Sequence, residues 1–242
     1  MKARALYEKG ELDRAIEVLG EELRENPTDA RRRTFLFELL CFAGRRDRAE
    51  KQLDALARDG QEAEMGALLY RAALHADGER DRKFEDEDFS RASSGPAPVS
   101  GTLNGERFES LQDADPRIGA RLEVFAGGEY MWLPLEHVAS LRVEKPQRLR
   151  DLLWVPAQVQ VGPELHALEL GEVLLPVLSP LTSRSSEDAL RLGRATDWAE
   201  TSDGIPYPVG QKLFLVDDEA VPVLEVRELV IDAPAGAPEH EG

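Results

Sequence analysis

The chain has 242 residues, of which 42% are hydrophobic and 32% charged, the composition of a folded protein rather than a disordered one. Its 30 basic residues stand against 47 acidic ones, and the formal net charge of −17 argues against nucleic-acid and membrane partners. The single cysteine, Cys41, excludes an internal disulfide and a multi-cysteine zinc site. Since no apolar run reaches the length of a membrane span, we expect a cytoplasmic protein.

An internal repeat occupies the N-terminal third of the chain. Four residues recur 34 positions later: Gly10, Asp13, Arg14 and Ala15 return as Gly44, Asp47, Arg48 and Ala49. This is the period of the tetratricopeptide helix hairpin, in which a glycine lies at the turn and a small alanine lets two helices approach closely. Apolar residues at helical spacing agree with it, in the stripes Leu12, Ala15, Ile16, Leu19 and Leu23, then Leu36, Leu39, Leu40 and Ala43.

The helical pattern predicts five helices between residues 1 and 77, the last over residues 64–76, with a short piece around residues 80–85. A change of composition follows, because residues 86–102 are first acidic and then rich in Ser, Pro and Gly, which is typical of linkers. The predicted organisation is a tetratricopeptide-like helical domain over 1–85, a linker over 86–102, a β-rich domain over 103–231 and a disordered tail over 232–242.

Beyond the linker the pattern becomes strand-like. Segments 122–125 and 130–133 flank Gly127 and Gly128, which is a hairpin signal. Five further segments indicate strands: 154–161, 165–170, 173–177, 212–216 and 221–226. One helix is expected over residues 185–192, where serines can cap it. The predicted fold class is α+β, with N-terminal tetratricopeptide-like helical repeats followed by a small, mostly antiparallel β-domain that contains one or two short helices.

Several longer phrases carry a family resemblance. They are RTFLFELLC at residues 33–41, LNGE at 103–106, DADPR at 113–117, LRDLLW at 149–154 and DALRLGRATDW at 188–198. Through them the chain resembles the ImpE/SciE family, also called TagJ, accessory proteins of bacterial type VI secretion. The resemblance spans about residues 5–230. It implies an accessory role at the contractile sheath through binding of the N-terminal helix of the small sheath subunit TssB, with an indirect link to the disassembly ATPase ClpV.

The candidate partner site is the concave face of the repeats, which the first helix of each hairpin lines. Placing Ala15 and Ala49 at position 20 of the repeat assigns ten residues to this face: Arg4, Tyr7, Arg31, Thr34, Glu38, Cys41, Met65, Leu68, Ala72 and His75. An apolar floor with charges of both signs suits an amphipathic helix laid in a groove. The alternative is that so short an array packs this face against the β-domain, because repeats need neighbours to bury their faces.

Motifs of catalysis are missing from the sequence. It contains no Gly-x-Ser-x-Gly elbow, no Gly-rich phosphate loop ending in Lys-Ser/Thr and no His-Glu-x-x-His pair, and its four histidines lack metal-ligand spacing. We therefore expect a non-enzymatic docking protein without cofactor or metal. The alternative is a carboxylate-based hydrolase that uses the repeats as a targeting module. A hydrolase predicts a pocket with perturbed carboxylates, whereas a docking protein predicts an apolar groove.

Overall fold

The structure is a computed structural model that describes residues 2–86, 99–165 and 170–232. Five α-helices come first: α1 Lys2–Glu8, α2 Leu12–Glu25, α3 Ala30–Phe42, α4 Arg46–Leu56 and α5 Gln61–Glu85. The five predicted helices are confirmed, but the short piece expected around residues 80–85 is the end of α5, because Gly78 alone is too weak a breaker to stop that helix. None of the described helices is both long and apolar enough to cross a membrane.

The helices pair as the 34-residue repeat requires. Ala15 of α2 and Ala49 of α4 are both 0% exposed, so each lies at a close helix contact where a larger side chain would push the backbones apart. The restart between α2 and α3 also follows the sequence. Asp29 precedes α3, and its side chain accepts a hydrogen bond from the backbone N–H of Arg32. The repeated alanine therefore accounts for the close pairing within each hairpin, and the cap at Asp29 for the start of the second hairpin.

The described residues after α5 form thirteen strands and one short α-helix, together with several single-turn 3-10 helices. The strands are β1 Gly101–Leu103, β2 Glu106–Phe108, β3 Leu111–Asp113, β4 Arg121–Ala126, β5 Glu129–Pro134, β6 Val138–Val143, β7 Trp154–Val161, β8 Glu172–Pro176, β9 Thr196–Glu200, β10 Pro206–Gly210, β11 Leu213–Val216, β12 Glu219–Pro222 and β13 Glu228–Ile231. Eight make an antiparallel sheet in the order β2-β1-β13-β6-β7-β8-β4-β5. The other sheets are β12-β11-β3 and the ribbon β10-β9. The α+β prediction is confirmed.

Several strand predictions agree with these bounds. The hairpin is confirmed, because β4 pairs with β5 across Gly127 and Gly128, both at positive φ. Segment 154–161 is β7, and segments 173–177 and 212–216 match β8 and β11 to within one residue at each end. The strand predicted over 221–226 is largely wrong, since Val223–Glu225 forms a 3-10 turn after β12. The helix expected over 185–192 shortens to α6, Asp188–Arg191.

The predicted linker and tail fall mainly on residues 87–98 and 233–242, which lie outside the described residues. The predicted strand at 165–170 lies outside them as well, apart from its two ends. Strand β1 begins at Gly101, two residues before the predicted start of the β-rich domain. The division of the chain into two separate domains stays a prediction.

Alternate residues of the central strands face two different cores. Val124 of β4 and Val155 of β7 belong to a core inside the β-rich part, together with Phe214 of the three-stranded sheet. Their neighbours Phe125 and Trp154 belong instead to the core that the helices build. This division follows from the two-residue period of a strand. The large sheet therefore has the helices on one face and the rest of the β-rich part on the other.

A buried ion network joins α5 to the sheet. Arg80 of α5 is 2% exposed and donates to both carboxylate oxygens of Glu123 on β4, at 2.8 and 2.7 Å. Lys212 donates to the same carboxylate at 2.6 Å and also to Asp113. Burial alone would raise the pKa of Glu123, but the charges of Arg80 and Lys212 and the hydrogen bonds they donate lower it. Glu123 therefore stays ionised inside the protein.

Residues 179–194, which we call the strap, form a second connection between the helices and the β-rich part. The strap lies over the turn between α1 and α2. Glu11 provides no side-chain cap for α2. Instead, the Asp188 carboxylate of the strap accepts a hydrogen bond from the backbone N–H of Leu12 at 2.7 Å, across 176 residues of sequence. Arg194 donates to the backbone oxygens of residues 7 and 8 at the end of α1. The strap thus satisfies backbone groups that helix ends leave without intrahelical partners.

The strap also covers the turn between α3 and α4. A Cβ added to Gly44 would lie 2.6 Å from Oγ of Ser183 in the strap. At the equivalent glycine of the first turn, Gly10, an added Cβ would lie 3.6 Å from a guanidinium nitrogen of Arg194. Both repeated glycines therefore lie beside the strap as well as at a helix turn.

Candidate functional site

The ten residues predicted to bind a partner differ widely in exposure. Five are exposed (Arg4, Arg31, Met65, Leu68 and His75), three are half-buried (Tyr7, Thr34 and Ala72), and two are buried (Glu38 and Cys41). They do not form one open surface. Those on α5 remain accessible for the most part, whereas the middle of the expected groove does not.

The β-rich part covers the middle of the predicted concave face. The guanidinium of Arg194 lies 4.7 Å from the centre of the Tyr7 ring, and Arg150 approaches Glu38 with a nitrogen–oxygen distance of 3.9 Å. Cys41 lines a cavity of only about 30 Å³ beneath the strap. The open floor expected at Glu38 and Cys41 is thus not found, because this face packs on the β-rich part, as the alternative predicted. Partner binding by the ten residues stays a prediction.

Burial has a further consequence at Glu38. It raises the pKa of this carboxyl from 4.5 to about 7, and the nearby charge of Arg150 offsets the rise only in part. The folded protein therefore keeps a proton that the unfolded chain releases between about pH 4.5 and 7. Glu38 thus lowers the free energy of unfolding as the pH rises through this window, and its effect levels off above it.

We expect Glu38→Gln to raise the free energy of unfolding by about 1–3 kcal/mol more at pH 8 than at pH 5, because an amide does not ionise. Urea denaturation of both proteins at the two pH values measures the difference. Glu21→Gln is a suitable control, since Glu21 is an exposed carboxylate on α2. The same change at both pH values for Glu38→Gln would contradict the raised pKa.

The first half of α5 carries an exposed apolar stripe. Met65, Leu68 and Leu69 are 64%, 59% and 52% exposed, the highest values among the large hydrophobic side chains of the described residues. With Ala72 they follow the spacing i, i+3, i+4 and i+7, which places them on one helix face. We call these four residues the α5 stripe. Leu69 was missed by the repeat-position rule, although its spacing from Met65 would have identified it.

The same face of α5 is covered by the β-rich part from Ala72 onward. A Cβ added to Gly128, in the β4–β5 turn, would lie 3.2 Å from Cβ of Ala72. Further along, Ala76 is 0% exposed, and Nζ of Lys83 lies 4.0 Å from the ring centre of Trp132 on β5. The apolar face of α5 is thus covered by the β-rich part from Ala72 onward and exposed to solvent from Met65 to Leu69, which we call the bare half of α5. An exposed patch of this kind commonly marks an interaction site.

A cleft of about 510 Å³ lies beside the bare half of α5. We call it the α5 cleft. One side consists of Leu69, Tyr70, Ala72 and Ala73 of α5. The other side combines the β4–β5 turn, the loop before β7 and parts of β7 and β8, with these lining residues: Phe125, Gly127, Gly128, Glu144, Lys145, Gln147, Arg148, Asp151, Trp154, Pro156, Glu172, Val173 and Leu174. The sequence carried no signal that these segments meet.

The carboxylates of raised pKa are not part of the cleft lining. Burial raises the pKa of Glu38, Asp77 and Asp113, and none of the three lines it. Within residues 2–86, 99–165 and 170–232, no three His, Cys, Asp or Glu side chains are grouped to hold a metal ion. The cleft is lined by apolar side chains together with charged residues of both signs.

Comparison with known proteins agrees with this architecture. The model of the ImpE protein family matches residues 105–230, and a tetratricopeptide-repeat model matches residues 3–73. The type VI secretion system accessory component TagJ of Pseudomonas aeruginosa is 34% identical over 266 aligned residues, which cover 95% of this chain and 90% of TagJ. This chain belongs to the ImpE family. The resemblance noted in the sequence is therefore confirmed.

The ImpE fold is also seen in a solved structure. The crystal structure of protein VPA1032 from Vibrio parahaemolyticus matches with a TM-score of 0.81 and 23% identity, covering 96% of this chain and 98% of the other. This likeness shows a shared fold. In the present ImpE protein, two of the phrases that carried the resemblance have structural roles: DADPR supplies Asp113 of the buried ion network, and the beginning of DALRLGRATDW is the end of the strap.

Proposed function

We propose that this ImpE protein is a non-catalytic accessory protein of a type VI secretion system, and that it docks a helix of another protein. The curated relative carries the name of such a component, and tetratricopeptide repeats are commonly used to bind proteins. The observation that carries the proposal is the α5 stripe. It is the exposed continuation of a helix face that is otherwise packed, and a bare apolar face at this spacing suits a second amphipathic helix.

The proposed partner is the N-terminal helix of the small sheath subunit TssB, with an indirect link to ClpV. This identity comes from the family resemblance, and a cytoplasmic location follows from it. The α5 stripe and the α5 cleft supply the surface that such a helix needs. The net charge of −17 disfavours nucleic acid and anionic membrane as alternatives.

The competing hypothesis is a carboxylate-based hydrolase. The geometry of the α5 cleft favours docking over hydrolysis. A hydrolase needs a general acid or base at the wall of its pocket, with a pKa matched to that task. The carboxyls whose pKa burial raises lie outside the α5 cleft. The cleft itself is lined largely by apolar side chains, among them Phe125, Trp154 and Leu174.

Titration of a labelled TssB N-terminal peptide, followed by fluorescence anisotropy, tests the docking function. We expect saturable binding to the wild-type protein, and at least tenfold weaker binding to the variant Met65→Asp/Leu68→Asp, because two exposed apolar contacts are replaced by charge. The matched control is Ile205→Asp, which alters an exposed aliphatic residue in the β9–β10 turn. A wild-type protein that does not bind the peptide, or a double variant that binds it equally well, would contradict the proposal.

A further inference from the structure

We infer that the edge of β9 that faces away from β10, which we call the outer β9 edge, is a second docking site on this protein. Its occupant is an extended, basic segment of another protein, which pairs with β9 as an additional strand. The β9–β10 ribbon that carries this edge contributes no residue to the α5 cleft. The inference therefore goes beyond the helix docking proposed above, because a different backbone geometry and a different charge recognise the ligand.

The ribbon leaves the backbone of β9 open on one side. Among the described strands, β9 pairs only with β10. At one end of this pair the N–H of Thr201 donates to the oxygen of Ile205 at 2.9 Å, and at the other the N–H of Gln211 donates to the oxygen of Ala195 at 3.1 Å. The odd-numbered residues of β9 therefore face β10, because inward and outward groups alternate along an antiparallel strand. The even-numbered residues direct their N–H and C=O groups outward: Thr196, Trp198 and Glu200.

The opposite edge of the ribbon is closed to a further strand. Two of the outward positions of β10 are Pro206 and Pro208, which have no N–H to donate. The third is Gly210, whose N–H donates to the hydroxyl of Thr182 in the strap at 2.9 Å. Proline on an edge strand is a common protection against strand pairing, and β9 contains none. The ribbon thus has one protected edge and one receptive edge.

Trp198 provides an apolar contact at the receptive edge. It is 49% exposed, the highest value among the aromatic side chains of the described residues. Its N–H donates to the carboxylate of the adjacent Asp197 at 2.8 Å, an exposed bond that the carbonyl of an incoming strand would replace. Glu200 lies two residues further along the strand, so its side chain is on the same face as that of Trp198. A partner side chain on that face would meet an aromatic ring and a carboxylate together.

The charge of the ribbon selects a basic partner. Residues 195–211 contain three acidic residues and no Lys, Arg or His. An arginine of the added strand can stack on the ring of Trp198 and pair with the carboxylate of Glu200. A second copy of this chain is disfavoured, because it would bring two acidic ribbons together in a protein of net charge −17. The main-chain bonds would supply affinity, and the alternate basic side chains would supply specificity.

Fluorescence anisotropy with a labelled peptide of four Arg-Val repeats tests the site, since this alternation places all arginines on one face of a strand. We expect Trp198→Ala to bind the peptide at least fivefold more weakly than the wild type, because the ring beneath an arginine is lost. Glu200→Pro should weaken binding at least tenfold, because it removes both a charge and an outward N–H. Glu200→Gln keeps the N–H and should lose only about threefold. The matched control is Glu129→Gln, which removes an exposed carboxylate from β5 and should change binding less than twofold.

A second peptide separates strand pairing from simple charge attraction. Four Arg-Pro repeats have the same charge but cannot donate main-chain hydrogen bonds from their prolines, so we expect at least tenfold weaker binding than with Arg-Val repeats. Equal binding of the two peptides, or equal binding of the Arg-Val peptide to Trp198→Ala and to the wild type, would overturn the site. A wild-type dimer in sedimentation that Glu200→Pro converts to a monomer would also overturn it, since a second copy would then occupy the edge.

The TssB peptide shows whether the outer β9 edge is independent of helix docking. Trp198→Ala should bind that peptide within twofold of the wild type, because Trp198 does not line the α5 cleft. A large loss of TssB binding in Trp198→Ala would mean that the ribbon belongs to the helix site, and the inference of a second site would fail. If the wild type does not bind the TssB peptide but shows the expected pattern with the Arg-Val peptide, helix docking fails and the outer β9 edge stands.

Discussion

Glu123→Ala should lower the free energy of unfolding by about 3–5 kcal/mol, because it leaves two buried cations without their shared carboxylate. Arg80 and Lys212 are both 2% exposed, and both donate to Glu123. Neither can turn to water when that partner is lost. Arg80 loses the carboxylate to which it donates two hydrogen bonds, and Lys212 keeps only Asp113, so the desolvation of the two charges is much less compensated. Small proteins are commonly stable by only about 5–15 kcal/mol, so the loss is a large share of the total.

Chemical denaturation of the wild-type and Glu123→Ala proteins measures this loss. Glu123→Gln should be less damaging, because its amide oxygen can still accept one of the hydrogen bonds. Glu129→Ala, at the exposed start of β5, provides a control in the same hairpin and should change stability by less than about 0.5 kcal/mol. If Glu123→Ala and Glu129→Ala lower the free energy of unfolding equally, the buried ion network contributes no more to stability than an exposed charge does. If Glu123→Ala fails to fold, the graded loss in Glu123→Gln still tests the expectation.

The second large effect is expected at the repeated glycines. Gly44 and Gly10 both have left-handed backbone conformations, with φ of 63° and 83°. Alanine in this conformation costs about 1–2 kcal/mol at either position. At Gly44 the new methyl group would also lie 2.6 Å from Oγ and 2.9 Å from Cβ of Ser183, whereas at Gly10 it would be in ordinary contact. We therefore expect Gly44→Ala to cost about 2–4 kcal/mol and Gly10→Ala about 1–2 kcal/mol.

Thermal or urea denaturation of the two variants gives this difference directly. The double variant Gly44→Ala/Ser183→Gly removes the obstructing side chain and should recover most of the extra loss at Gly44, leaving the cost of the left-handed backbone. Equal losses for Gly10→Ala and Gly44→Ala, with no recovery in the double variant, would mean that the strap does not restrict Gly44. The comparison separates the free-energy cost of the left-handed backbone at the turn from the cost of the close contact with Ser183 of the strap.

Features with a local pattern were predictable from the amino-acid sequence alone. The five helices follow from apolar spacing and the 34-residue repeat, and the hairpin follows from the two glycines between β4 and β5. Short strands were missed: β1, β2 and β3 have three residues each, too few to show an alternating pattern. The family phrases identified the relationship, but they did not show that Asp113 and Asp188 have structural roles.

The candidate site depended on tertiary structure. Met65, Leu68 and Ala72 were identified from the repeat period, because a period defines one face of a helix. The repeat period could not show that the strap and Arg150 cover the predicted concave face at Tyr7 and Glu38. The cleft joins α5 to segments near residues 125, 147 and 173, and contacts between such distant segments leave no mark on local composition. The sequence by itself determined the helices, the repeat and the family, since these depend on local spacing and recognisable phrases. Only packing between distant segments decided which apolar side chains of α5 remain exposed to a partner.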